Sequence, residues 1–513
     1  MLLTDDLLLN YKRCCRRTYL DLYGNPREKD SEKEFLLKLK RESQIHIAEV
    51  IAARSWQTQD SAISFSYQQS RSSQKDWLLS GKQTLALMQQ GVDCIYGGIL
   101  TLTLAEWQLV VKANQKEDKT NQNLIIAPEN LLFLARPTLL LKQPGKSRLG
   151  DWLYIPVNIK LGRRPKPEYK LIAAFHAQIL AAIQGIAPSQ SELILRQHNS
   201  YYLNLDYWLP KMQNIVADCL KMLSTSTEPE VFISRQKCSL CHWYSHCYNK
   251  AKSEQHLSLV PGVTPKRYEY LTTLGIDTLQ SLAAISPLNL GEEMRTDVAL
   301  QLQQQARSLL ENQPILKPEF HLLANSKIPT GAIELYFDIE AEPERNLDYL
   351  LGVLLVDRRT NQEKFYPFLA ENPEDEEKIW QQFLALVNLY QNAPIFHFSE
   401  YEIDTIKRLA QLYQTPKQQI KSLLSRCFDI HYLITTSAIL PVESYSLKSL
   451  ANWIGFQWRD RGASGDQCVC WYDRWLSLRE RSFLEAILRY NEDDCRATFY
   501  LKDWLVEFLA NSK

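Results

Sequence analysis

No stretch of eighteen consecutive apolar residues occurs in the 513-residue chain, so a membrane-spanning helix is not expected. The opening Met1-Leu2-Leu3-Thr4-Asp5-Asp6 lacks the basic start and small-residue cleavage site of a secretory signal. A cytoplasmic location is therefore the expectation. An excess of either charge is also missing: 59 Lys and Arg balance 59 Asp and Glu. That argues against a protein coated in positive charge, while leaving room for a local basic channel. Apolar residues are plentiful, at 45% of the chain against 23% charged. Such a chain is globular and buries a substantial core, and its length suggests two or three domains.

Structural disulfides are rare in the cytoplasm, so eleven cysteines must be buried apolar residues or metal ligands. Cys94, Cys219 and Cys427 stand apart and read as core residues. Cys238-Ser239-Leu240-Cys241-His242-Trp243-Tyr244-Ser245-His246-Cys247 is a C-x2-C-x5-C run. Three ligands leave a tetrahedral or cubane site one short. The natural fourth lies in Cys14-Cys15-Arg16-Arg17-Thr18-Tyr19-Leu20, with Cys15 an alternative to Cys14. A zinc site completed by His242 or His246 is the other reading.

The acids near the C-terminus carry the chemistry. Phe337-Asp338-Ile339-Glu340 ends an apolar run, and an Asp-x-Glu on a strand puts both carboxylates on one face. Arg489-Tyr490-Asn491-Glu492-Asp493-Asp494 lies on an expected helix, where Tyr490 and Asp494 share a face. Converging carboxylates with a tyrosine suit divalent metals and a polarised water, the equipment for cutting phosphodiester bonds. Around them, Ile333 to Ile339, Tyr349 to Val356 and Glu363 to Phe368 read as strands. A helix from about 374 to 391, a strand at Pro394 to Phe398 and a helix at Ile403 to Leu412 follow.

The cysteine pattern resembles the iron–sulfur nucleases of the RecB type, which include CRISPR-associated exonucleases and the nuclease domain of AddB. The resemblance implies a [4Fe-4S] cluster on Cys14, Cys238, Cys241 and Cys247, with Zn2+ as the alternative. It also implies an N-terminal restriction-endonuclease-like PD-(D/E)XK domain. The matching stretch runs from Leu134-Ala135-Arg136-Pro137-Thr138 to Ile155-Pro156-Val157-Asn158-Ile159-Lys160. Thr138 and Asn158 stand where that motif has carboxylates, and Mg2+ wants carboxylates; Lys160 alone remains. Asp151 is a substitute in sequence, and His46 matches the family's extra metal-binding histidine. Arg163, Arg164 and Lys166, with Lys170, give a basic patch suited to a phosphate backbone.

The C-terminal acids resemble the Tyr-bearing branch of the DEDD 3′–5′ exonucleases. Asp338 and Glu340 match its first motif. Glu402, in His397-Phe398-Ser399-Glu400-Tyr401-Glu402, stands for the usual Asp of the second, with Glu400 and Asp404 as alternatives. Tyr490 and Asp494 match the third. This implies two Mg2+ or Mn2+ ions on Asp338, Glu340, Glu402 and Asp494, with Tyr490 orienting water. Asp429 and Ser444 to Leu450 read as fold landmarks. Between the two parts, Leu259-Val260-Pro261-Gly262-Val263 and Leu274-Gly275-Ile276-Asp277-Thr278-Leu279 look like a helix-hairpin-helix module.

The expected chain is thus α/β. A PD-(D/E)XK domain occupies 1–255, a helical helix-hairpin-helix-like middle 256–312, a linker 313–332, and an RNase H-like exonuclease domain with a mixed sheet 333–513. The expected activity is metal-dependent 3′–5′ exonuclease action on DNA or RNA ends, the N-terminal domain binding nucleic acid without cutting it. A non-catalytic nucleic-acid-binding scaffold, or cleavage by the N-terminal domain, are the alternatives. A helicase or repair partner follows by analogy only.

Overall fold

The structure is a computed structural model that describes residues 1–54, 59–60, 74–114, 130–225, 227–287, 294–317 and 328–511, with backbone alone at 59–60, 74–75 and 112–114. The chain divides into two compact units. One is Met1–Val231 with Arg235–Cys247, and the other is Phe232–Ser234 with Tyr248–Lys513.

In the first unit β1 (Leu2–Thr4), α1 (Asp5–Arg13), α2 (Cys15–Tyr23) and α3 (Glu34–Ala53) open the chain. There follow β2 (Gln59–Asp60), α4 (Gln74–Gln89), β3 (Cys94–Tyr96), β4 (Leu100–Thr103), α5 (Leu104–Asn114), β5 (Leu132–Ala135), β6 (Leu139–Ser147) and β7 (Gly150–Ile159). Then come α6 (Pro167–Gln184), β8 (Glu192–Ile194), β9 (Ser200–Tyr202) and α7 (Leu205–Thr225), with α8 (Arg235–Cys238) closing the cysteine end. Two sheets result, β1-β5-β4 and β2-β3-β6-β7-β8-β9. Both mix parallel and antiparallel pairs. Alternation along β7 sends Val157 and Ile159 to a small core under α3, while Tyr154 joins the main core around α6.

After α9 (Tyr244–Ser253), the second unit has α10 (Pro265–Thr273), α11 (Leu279–Ala284) and α12 (Thr296–Glu311) around their own apolar cluster. Thr264 caps α10 by accepting the Arg267 N–H, and Gly262 takes a left-handed turn at φ +92°, which only glycine adopts without strain. These helices share one compact unit with the C-terminal sheet: Gln305 of α12 donates to the Leu440 carbonyl and accepts from the Tyr445 hydroxyl. Within the stretch expected to be a linker, β10 (Ile315–Leu316) pairs with Ala438–Ile439. Residues 318–327 of that stretch lie outside the described residues.

The C-terminal sheet is built from β11 (Ile333–Glu342), β12 (Leu347–Asp357), β13 (Gln362–Leu369), β14 (Ile395–His397) and β15 (Cys427–Asp429), in the order β13-β12-β11-β14-β15. The first three are antiparallel and the last two run parallel to β11. Helices α13 (Glu376–Leu389), α14 (Tyr401–Leu412), α15 (Lys417–Leu424), α16 (Ile430–Ser437), α17 (Leu447–Trp453), α18 (Gly465–Leu478) and α19 (Arg481–Asn511) complete the unit, with β16 (Ala438–Ile439) after α16. β12 is buried along almost its whole length, as a strand covered on both faces must be. The sheet is mixed, and the acids lie inside β11 rather than at its end, since the strand continues to Glu342 through an irregularity after Glu340.

Candidate metal centre

Asp338 and Glu340 sit two residues apart on β11 and so point to one face. The long helix α19 crosses that face and brings Asp494 to them. One carboxylate oxygen from each of Asp338, Glu340 and Asp494 lies within 4.8 Å of the others. Glu340 and Asp494 are buried and Asp338 is half-buried.

Each acid is positioned by a neutral donor or a nearby cation. Asn491, one turn before Asp494, donates to Asp338 at 2.7 Å. The Trp458 indole N–H donates to Asp494 at 2.6 Å, and Tyr490 also hydrogen-bonds Asp494. Lys448, on α17, donates to the Ala463 carbonyl and lies over the Tyr490 ring at 4.9 Å and the Trp458 ring at 5.5 Å. Its charge is felt by both Glu340 and Asp494. The rest of the acidic run points elsewhere: Asp493 is bound by the Arg459 backbone and guanidinium, and Glu492 by Arg459 and Arg496.

Burial and mutual repulsion hold these carboxyls far from their ordinary behaviour. Burial, then Asp494, Glu340 and Glu402, push Asp338 well above the usual carboxylate range. Burial and Asp494 do the same to Glu340, against Lys448. Asp494 is raised by burial to about 7, although Trp458, Lys448 and Tyr490 all favour its charged form. Three acids that oppose one another's ionisation in a dry place are a donor set for a hard divalent cation.

Glu402 opens α14, is buried, and acts on Asp338 electrostatically while standing outside the tight trio. It accepts from Ser399 Oγ at 3.3 Å and faces His397 Nδ1 at 3.6 Å. Ser399 carries φ +114°, costly for a residue with a Cβ, and its N–H donates to Asp429 at 3.1 Å. Asp429 thus holds the turn that presents Glu402, and also caps α16. Glu400 and Asp404, the alternatives in sequence, are exposed.

Residues 335–506 match the model of the RNase_H superfamily. The RNase H-like domain contains the whole carboxylate trio, and the match supports a nucleic-acid-processing, nuclease-type domain. No curated protein matches the chain.

Three residues at this centre were not singled out from the sequence: Lys448, Trp458 and Asn491. Asn491 had a signal, since it lies three before Asp494 on the same helix face. Lys448 lay inside a stretch read only as a landmark.

The N-terminal residues group differently. Thr138 Oγ accepts the Ile159 N–H at 3.1 Å, between Asn158 and Lys160. The Asn158 amide is buried with neither polar atom partnered. Lys160 is pulled down by burial, against the pull of Asp5 and Asp6. Asp5 itself is held by the Arg136 backbone and guanidinium at 3.0 Å and by His176 Nε2 at 3.1 Å. Asp151 is exposed at the opposite end of β7, roughly 20 Å from Asn158 at a strand's rise per residue, so the two do not share a site.

Cys14 caps α2, its sulfur accepting the Arg17 N–H at 3.4 Å. The Cys241 thiol is pushed up to about 11 by burial, with Cys14 and Cys238 adding to the rise. Cys247 is raised by burial and again by Cys14. Cys15 is exposed; burial and the neighbouring Cys14 raise its thiol, and it acts in turn on Cys219 and Tyr11. His242 and His246 are bonded to carboxylates, to Asp21 at 2.6 Å and Glu28 at 2.9 Å. Asp21 also accepts from the Trp243 indole at 3.0 Å, and the Asp30 N–H donates to the His242 carbonyl at 2.8 Å. The two sequence ends of the unit are joined at this point. Of the remaining cysteines expected in the core, Cys94 and Cys219 are buried and Cys427 is half-buried.

Arg163, Arg164 and Lys166 are exposed on the turn after β7. Lys170 lies over Tyr201 at 4.6 Å and Trp208 at 5.7 Å, and Lys211 over Tyr207 at 3.6 Å. This aromatic–basic face was only half legible, because Tyr201, Tyr207 and Trp208 lie on other elements.

Proposed function

We propose that the RNase H-like domain is a metal-dependent 3′–5′ exonuclease acting on nucleic-acid ends. The observation that carries this reading is the convergence of Asp338, Glu340 and Asp494 within 4.8 Å, beside Tyr490 and Lys448. Asp338, Glu340 and Asp494 would hold Mg2+ or Mn2+, with Glu402 in support, and bound ions of this kind supply an activated water and stabilise the charge developing on the phosphate. Tyr490 orients the attacking water from its place beside Asp494. Asn491 fixes the rotamer of Asp338, and Trp458 that of Asp494. Lys448 offsets part of the trio's negative charge, which otherwise repels a phosphodiester.

The first unit is proposed as a PD-(D/E)XK domain of the RecB type that binds nucleic acid and no longer cuts it. Thr138 and Asn158 are neutral where that motif has carboxylates, and a neutral pair is a poor cation site. Its exposed Arg163, Arg164 and Lys166 would meet phosphates, and Tyr201, Tyr207 and Trp208 would stack on bases. A [4Fe-4S] cluster on Cys14, Cys238, Cys241 and Cys247 is supported by Cys14 and Cys238 acting on Cys241, and by Cys14 acting on Cys247. Such a cluster would staple the unit's two sequence ends.

Stepwise shortening of a 5′-labelled single strand, DNA or RNA, by anaerobically purified protein with Mn2+ tests the activity. A substrate left whole with both Mg2+ and Mn2+ overturns it.

A further inference from the structure

A second group of ligand atoms stands in the first unit, away from the carboxylate trio. His46, Glu49 and His198 each offer one donor atom, all within 4.8 Å of one another. His46 and Glu49 lie three apart on α3 and therefore share a helix face. His198 comes from the turn joining β8 to β9, where its N–H donates to the Leu195 carbonyl at 2.8 Å. The two imidazole rings stand 5.6 Å apart, tilted by 44°.

Two independent features single the group out. His46 is only 4% exposed, yet its Nε2 has no hydrogen-bond partner. The Leu195 backbone also favours the charged form of the ring. A buried imidazole nitrogen with no hydrogen-bond partner is available to a metal ion as a lone pair. His198 holds a left-handed backbone at φ +58°, a conformation uncommon outside glycine. The turn is kept in place from below, where Arg54 at the end of α3 binds Glu192 at 3.0 Å and Ser200 at 2.6 Å.

We propose that His46, Glu49 and His198 form a binding site for a divalent first-row transition metal of the Zn2+ class, which clamps the β8–β9 turn onto α3. Two imidazoles and one carboxylate suit zinc and its neighbours, whereas Mg2+ and Ca2+ take oxygen donors. Glu49 and His198 are exposed, so a fourth position opens to solvent. Thr138 and Asn158 contribute nothing to this set.

The test is Zn2+ binding by the full chain, comparing wild type with His198→Ala and Glu49→Ala. Both residues are exposed, so the variants are expected to fold, and circular dichroism checks this. The expected result is one Zn2+ fewer per chain at stoichiometric metal, or an affinity at that site lowered by about 100-fold, in both variants. Substituting Co2+ should give the spectrum of a nitrogen–oxygen site without sulfur-to-metal charge transfer, lost in His198→Ala. Equal stoichiometry and affinity in wild type and both variants would overturn the assignment.

Discussion

Gly352 on β12 lies so close to Asn491 on α19 that a Cβ at position 352 would stand 1.6 Å from Asn491 Oδ1. Gly352 also pairs with Asp338 across the ladder. The small residue, the amide and the acid are therefore one construction, in which the missing side chain lets the helix amide reach Asp338. Gly352→Ala should displace Asn491 and cost about 1–3 kcal/mol of stability, as overpacking does. Denaturant unfolding reads the stability, and a Mn2+ titration reads the loosened Asp338. An unchanged variant in both would separate Gly352 from the site.

The elevated carboxyls predict a pH dependence of stability. Asp494 titrates at about 7 in the folded chain against an ordinary 3.8, so the folded state binds its proton more tightly than the unfolded state does. That contribution is fully present below about pH 4 and is lost as the pH rises through 7. Without divalent ions the RNase H-like domain should therefore lose stability across this window. Mn2+ binds the ionised form, so the rise in Tm that it gives should be larger at pH 8 than at pH 5.5. An equal rise at both would contradict the assignment of these acids as ligands.

Lys448 gives a kinetic prediction. Removing its charge in Lys448→Met leaves Glu340 and Asp494 less favourably ionised, since the lysine lowers both. The acid limb of the pH–rate profile should move to higher pH, and kcat/KM at neutral pH should fall by about 10–100-fold. A fall without the shift would assign Lys448 to packing over Tyr490 and Trp458 instead.

The cysteines divide cleanly. Cys14→Ser should abolish the iron and sulfide content of anaerobically purified protein, about four of each per chain for a cubane cluster. Cys15→Ser should leave that content intact, because Cys14, and not Cys15, is the thiol that acts on Cys241 and Cys247. Iron retained in Cys14→Ser would move the fourth ligand elsewhere.

The convergence of Asp338, Glu340 and Asp494 was legible because it is written in local periodicity. Asp338 and Glu340 were legible because a strand alternates, and Tyr490 and Asp494 because a helix repeats near four. The C-terminal strands followed from their apolar runs for the same reason. Residues whose role depends on packing between distant elements were not legible. Lys448 reaches the acids only because α17 lies against α19, and Glu49 meets His198 only through the β8–β9 turn. The pairing of Ile315–Leu316 with Ala438–Ile439 was hidden because a two-residue strand has no periodicity to read. Asp151 failed the other way: near Asn158 in sequence, it is carried off by the extended strand between them.

The most direct test of the central claim is where cleavage resides. Wild type, Asp338→Ala and Lys160→Ala would be compared on 5′-labelled single-stranded DNA and RNA with Mn2+. The account predicts stepwise shortening from the 3′ end by wild type and by Lys160→Ala, and none by Asp338→Ala. Cleavage that survives in Asp338→Ala and disappears in Lys160→Ala would contradict it and place the active site in the N-terminal unit.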